Sequence, residues 1–162
     1  MMQPAHFVTI SILFSIPVSC NDVSDESDFI GGSDVGISAT GDATRGCSVR
    51  PTLTDLSEKY FSFSCAFGGC HDERAAGGLN LLRGGLHARL VGIAASNENA
   101  QARGKLRVVP GDPDASFLVQ KLEGTQARDE GKIQPDGADQ PIDPNCRIKM
   151  LRQWISDSAP DN

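Results

Sequence analysis

Cys65-Ala66-Phe67-Gly68-Gly69-Cys70-His71 is the stretch that decides how this sequence is read. Two thiols with four residues between them, and an imidazole directly after the second, make a compact set of soft donors. Several chemistries compete for it. The cysteines can close a local disulfide, leaving His71 as an exposed polar residue. They can bind zinc, but only three ligands lie close together and structural zinc usually takes four. They can act as a redox dithiol, although the spacing is not Cys-x-x-Cys and no strand–helix pattern flanks it.

The remaining chemistry is covalent haem. Cys-x-x-Cys-His is the attachment signature of c-type haem, in which two thiols add to the vinyl groups and the adjoining histidine supplies an axial nitrogen to iron. The gap here is longer, and Gly68-Gly69 permits the extra residues to loop outward. The Cys-His adjacency, which sets the imidazole beneath the ring, is intact. On this reading one haem c is held by thioethers to Cys65 and Cys70, with His71 as the proximal iron ligand.

Working outward, Thr52-Leu53-Thr54-Asp55 is a helix start, with Thr as N-cap and an acid three residues on. Leu53, Leu56, Tyr60 and Phe63 recur at helical spacing, so a helix of about three turns runs into Cys65. Gly77-Gly78 breaks the chain after the motif. A second helix is expected from about Leu86 to Ala95, with Leu86, Leu90, Ile93 and Ala94 on one face. Val108-Val109-Pro110 reads as extended. Asp112-Pro113 predicts the start of a third helix, with Phe117, Leu118 and Leu122 as its apolar face and Gly124 as its stop. Residues 125–142 read as a long loop. Asp143-Pro144 opens a last helix to about Asp157, burying Ile148, Leu151, Trp154 and Ile155. The expected fold is all-α: about four short helices with long loops.

The chain has 162 residues, a length that suits one ordinary domain and excludes a large multi-domain enzyme. Its net charge of −6 argues against nucleic-acid binding. That charge is unevenly placed: residues 21–46 carry a net of −5, leaving the rest nearly neutral. Phe7 to Val18 is too short an apolar run to span a bilayer and fits a secretory signal core, followed by Ser19 and Cys20. The ending resembles a bacterial lipobox in which Cys20 is lipidated, with two departures: Pro17 replaces an aliphatic residue and no Lys or Arg precedes the run. Residues 1–19 are therefore expected to be a lipoprotein signal, 20–46 an acidic Ser/Gly/Asp-rich flexible tether, and 47–162 the folded domain.

Export places the thiols in an oxidising compartment. Setting Cys20 aside leaves Cys47, Cys65, Cys70 and Cys146. Cys47 and Cys146 stand at the two ends of the domain and could be bridged, which leaves Cys65 and Cys70 as the remaining pair. No nucleophile motif, phosphate loop or paired carboxylates suggest an enzyme. Arg83, Arg89, Arg103, Lys105 and Arg107 make the middle of the chain locally basic. They read as a solvated face that could guide an acidic redox partner.

Over residues 47–160 the sequence resembles monohaem cytochrome c domains, in particular an envelope-lipoprotein branch with Cys-x4-Cys-His. The likeness rests on five segments in order: 61–66 (Phe61 to Ala66), 78–81 (Gly78 to Leu81), 108–118 (Val108 to Leu118), 121–124 (Lys121 to Gly124), and Trp154-Ile155 followed by Ala159-Pro160. The resemblance implies a small helical bundle whose C-terminal helix packs across the first. It implies an electron carrier rather than a catalyst, lipid-anchored in the bacterial cell envelope at the outer membrane or periplasmic face, with a redox protein as partner. In this family the long loop usually carries Gly-x-x-Met-Pro, whose Met is the second axial ligand. Here it reads Gly131-Lys132-Ile133-Gln134-Pro135, so Gln134 or Met150 is the distal candidate. Met150, inside the last helix, reads as a core residue, and His87 as a partly exposed surface residue. The alternative is a haem-free surface lipoprotein on the same scaffold, stapled by Cys65–Cys70 and Cys47–Cys146, acting as a binding or structural module.

Overall fold

A computed structural model describes residues 47–162. The expected signal, Cys20 and the acidic tether lie outside the described residues. The first helical stretch begins where Thr52 Oγ1 accepts the Asp55 backbone N–H at 3.2 Å. It comprises α1 (Leu53–Leu56), a π-helical segment (Ser57–Phe61) and α2 (Ser62–Ser64). The π turn carries one extra residue, visible as the Ser62 N–H bonding back to the Ser57 carbonyl. That extra residue shifts the register. Phe61 is fully buried while Phe63, expected inside from regular spacing, is 66% exposed.

After the Cys65–His71 loop, α3 covers only Leu86–Leu90. The expected helix to Ala95 stops early because Val91 turns extended and bridges Val108, and Gly92 takes a left-handed φ of 70°. Ile93 is consequently exposed. A helix absent from the sequence reading, α4 (Glu98–Ala102), follows, with Asn97 Oδ1 accepting the Ala100 N–H at 3.0 Å. α5 (Phe117–Glu123) starts at Ser116, because Asp112-Pro113 forms the preceding turn rather than the cap. Gly124 ends it with φ 72°, as expected. The last helix opens at Asp143, as a π-helical segment (Pro144–Ile148) that leads into α6 (Lys149–Ser156). Among the described residues there are isolated β-bridges but no sheet, so the chain is helix-rich and all-α in class.

The core gathers Leu56, Phe61, Leu90, Val108, Leu151, Trp154 and Ile155, each fully buried. α6 packs on α1, and the π-helical segment before it packs on α5. The two ends of the domain are tied together repeatedly. Cys47 and Cys146 form a disulfide with Cα atoms 5.2 Å apart. The Asn162 carbonyl and side-chain oxygen accept from the Thr54 and Leu53 N–H groups at 2.9 Å each. Trp154 Nε1 donates to the Pro160 carbonyl at 2.9 Å. Asp55, buried beside these contacts, takes Arg50 and Lys59 at 2.9 Å, and these cations hold its carboxyl far below the ordinary range.

Candidate functional site

The loop from Cys65 to His71 closes on itself. The His71 N–H donates to the Cys65 carbonyl at 2.9 Å, and the Cys70 N–H to the Phe67 carbonyl at 3.0 Å. The residues between the cysteines form a tight turn in which Ala66 is buried and Gly68 exposed, and Gly68 (φ 60°) and Gly69 (φ 93°) supply the left-handed backbone this needs. Asp72 steadies the turn by accepting the Gly69 N–H at 3.1 Å and the Arg74 N–H at 2.9 Å.

His71 is oriented by the chain that follows. Its Nδ1 lies 3.0 Å from the Leu79 carbonyl, and its own carbonyl accepts the Leu81 N–H at 2.8 Å. A carbonyl only accepts, so Nδ1 carries the proton and the lone pair of the neutral ring sits on Nε2. Nε2 has no hydrogen-bond partner among the described residues. A backbone carbonyl on one ring nitrogen with the other left bare is the usual support for a histidine that binds a metal.

Beside His71 lies a cavity of about 260 Å³ that opens to solvent, at the small end for ligand sites. Its walls are largely apolar, with Phe61, Leu79, Leu81, Phe117, Leu118 and Leu122 facing it. The π turn brings Phe61 to this wall; at regular spacing Phe63 would have taken the inward place. Cys65 lines the cavity as a free thiol whose pKa burial pushes up to about 12, with Arg147 opposing. Protonated and shielded, it is a thiol held in reserve rather than a ready nucleophile.

The candidates named from sequence divide clearly. Cys65, His71 and Gln134 line one cavity. Cys70 is half-buried, is not a free thiol, and does not stand on the cavity wall. Because Cys65 is free, the local Cys65–Cys70 bridge of the haem-free alternative is not formed. Met150 is buried in the core, away from the cavity. His87 is half-buried with Nε2 donating to the Ala159 carbonyl at 2.9 Å, a structural tie to the C-terminal turn. Cys20 lies outside the described residues. No three His, Cys, Asp or Glu side chains converge as a metal-binding group among the described residues.

The basic stretch is divided: Arg83 and Arg103 are exposed, while Arg89, Lys105 and Arg107 are half-buried. Glu130, fully buried, accepts Lys105 Nζ at 2.7 Å and Arg103 Nη1 at 3.1 Å. Burial opposes its ionisation, but Lys105, the Ala127 N–H and Arg103 keep its carboxyl below the ordinary value. Lys121 Nζ donates to the carbonyls of Glu130 and Lys132, while the Lys121 carbonyl accepts the Gln134 N–H at 2.8 Å. Together these contacts hold the loop that presents Gln134 to the cavity. Nothing in the sequence marks Glu130, because a lone acid in a polar loop has no pattern. Comparison with protein-family models, curated proteins and solved structures finds no match to this chain.

Proposed function

We propose that this chain is an electron-transfer protein that carries one covalent haem in a cytochrome c-like bundle. The observation that supports it best is the state of His71: Nδ1 is tied to the Leu79 carbonyl and Nε2 is bare, on the wall of an apolar cavity shared with the Cys65 thiol. The donor set fits a haem c: a soft thiol beside an unprotonated imidazole nitrogen, in a cleft open along one side. The turn at Gly68 and Gly69 is compatible with a motif two residues longer than usual.

Bound there, haem supplies reversible one-electron chemistry at iron. The chain's part is positional. His71 would ligate through Nε2, Cys65 and Cys70 would form thioethers, and Phe61, Leu79 and Leu118 would exclude water from the ring face. Attachment would need Cys70 as a thiol, released by exchange with an external dithiol that is itself oxidised to a disulfide. Gln134 faces the cavity where a thioether ligand would otherwise be expected, and a carboxamide is a poor ligand for iron. Water or a small ligand would compete with Gln134 for a bound iron. We place the protein in the bacterial envelope, tethered by lipid at Cys20; no helix among the described residues is long and apolar enough to cross a membrane.

The deciding experiment is a pyridine haemochrome spectrum of protein exported from a host with c-type haem maturation, after an acid–organic wash. About one equivalent of haem retained on the polypeptide is the expected result. Colourless protein, with a control cytochrome maturing normally in the same host, would overturn the proposal in favour of a haem-free binding module.

A further inference from the structure

Cys65 and His71 bring two unengaged donors to the cavity. His71 Nε2 is bare because Nδ1 is held by the Leu79 carbonyl at 3.0 Å. Cys65 is a free thiol whose sulfur has no hydrogen-bond partner among the described residues. Both residues line the same cavity of about 260 Å³, and the 2.9 Å bond from the His71 N–H to the Cys65 carbonyl keeps their main chains adjacent. A thiolate sulfur and a neutral imidazole nitrogen are ligands for soft and borderline metal ions.

The number of donors narrows the choice of ion. Structural zinc takes about four ligands. Here no third His, Cys, Asp or Glu completes a group around the pair among the described residues. Glu130 lines the cavity, but its two oxygens already accept from Arg103 and Lys105. Gln134 and Ser64 offer only a carboxamide and a hydroxyl. A monovalent ion with a filled d shell is satisfied by two soft ligands in line. Charge selects the same class. A thiolate with a monovalent ion is neutral, whereas with a divalent ion it stays positive, and a largely apolar cavity disfavours that charge. Arg107, Lys121 and Lys132 on the walls raise the penalty for a further positive charge. Arg147 acts on the Cys65 thiol against the effect of burial, which favours the thiolate that metal binding requires.

We infer that Cys65 Sγ and His71 Nε2 form, in the haem-free chain, a two-coordinate site for a soft monovalent cation, copper(I) or its analogue silver(I). Binding is a ligand substitution with no electron transfer. Metal–sulfur and metal–nitrogen bonds form, the thiol proton passes to solvent, and the ligands that carried the ion leave it. Nδ1 stays on the Leu79 carbonyl throughout, so the ring keeps its tautomer. The proposed haem would take the same two atoms, so ion and haem exclude each other, but the site itself does not depend on haem being attached.

The test uses the full chain produced without haem maturation, titrated under argon with silver(I) nitrate in chloride-free buffer, with copper(I) kept reduced by ascorbate, and with zinc sulfate. About one equivalent of silver or copper should stay with the chain through gel filtration, bound at least about tenfold tighter than zinc. The ring resonances of His71 should shift on binding while those of His87 stay in place, and copper X-ray absorption should show one sulfur and one nitrogen ligand. These readouts need no variant to fold. Cys65→Ser should abolish retention, and His71→Ala should weaken it about tenfold. Metal held by a thiol with no change at His71, zinc binding as tight as silver, or retention in Cys65→Ser would each overturn the inference. Protein that retains haem when matured but binds no silver or copper when haem-free removes this site alone. A chain that binds the ion but never retains haem removes the haem reading alone.

Discussion

His71 and Leu79 are joined by a 3.0 Å hydrogen bond between the ring Nδ1 and the main-chain carbonyl, across the turn that follows the cysteine loop. The bond selects the tautomer and leaves Nε2 without a partner among the described residues. On the proposed haem reading, replacing His71 by Ala should leave thioether-bound haem in place but remove its proximal nitrogen. The absorption and electron-paramagnetic spectra of exported protein should shift to a state lacking that ligand, and added imidazole should restore the original. Spectra unchanged by the substitution would remove His71 from the site.

Gln134 lines the same cavity, and its backbone N–H is held by the Lys121 carbonyl at 2.8 Å. On the proposed haem reading, a thioether there should supply an iron ligand that Gln134 does not. We expect Gln134→Met to raise the reduction potential, by some part of the roughly 0.8 V that axial ligation spans. Potentiometric titration of both proteins decides it, and equal potentials would show that residue 134 does not reach the iron.

The Cys47–Cys146 disulfide closes a loop with a sequence separation of 99. On chain-entropy grounds it constrains the unfolded state by about 4.7 kcal/mol. The double variant Cys47→Ser, Cys146→Ser should unfold at markedly lower urea than the parent. A midpoint displaced by less than about a quarter of that energy would mean that the Asn162 contacts already hold the ends together.

Asp55 gives the fold a pH dependence of defined sign. Arg50 first, then Lys59, lower its folded pKa well below the unfolded value. A depressed carboxylate contributes stability that is complete above the unfolded pKa of about 4, and that is lost as pH falls through the folded value. Asp55→Asn should therefore be less stable than the parent at neutral pH, with the gap closing only under strongly acidic conditions. Denaturant melts at pH 7, 4 and 2 measure this; a gap that does not narrow toward acid would assign the loss to packing.

Much of the helical layout was legible. Thr52, Gly124 and Asp143 mark element ends through local chemistry, and each acts where the sequence places it. The stripe of Ile148, Leu151, Trp154 and Ile155 is buried as its spacing predicts. The misses have a common cause. Phe61 is buried and Phe63 exposed because a π turn breaks the regular period. The second helix is cut short by a bridge between Val91 and Val108, seventeen residues apart in sequence. α4 escaped notice because a five-residue helix shows too little periodicity to read.

The site divides along the same line. Sequence by itself singled out the residues on which the proposal rests, the Cys-x4-Cys-His group with its two glycines and, through the family resemblance, Gln134. Those are properties of residue type and short spacing, set by covalent geometry over a few bonds. Only the tertiary structure decided that the Leu79 carbonyl orients the imidazole and that Arg107 stands on the cavity wall with no carboxylate partner among the described residues. Each depends on which distant groups meet, and burial then decides what a charge or a lone pair is worth.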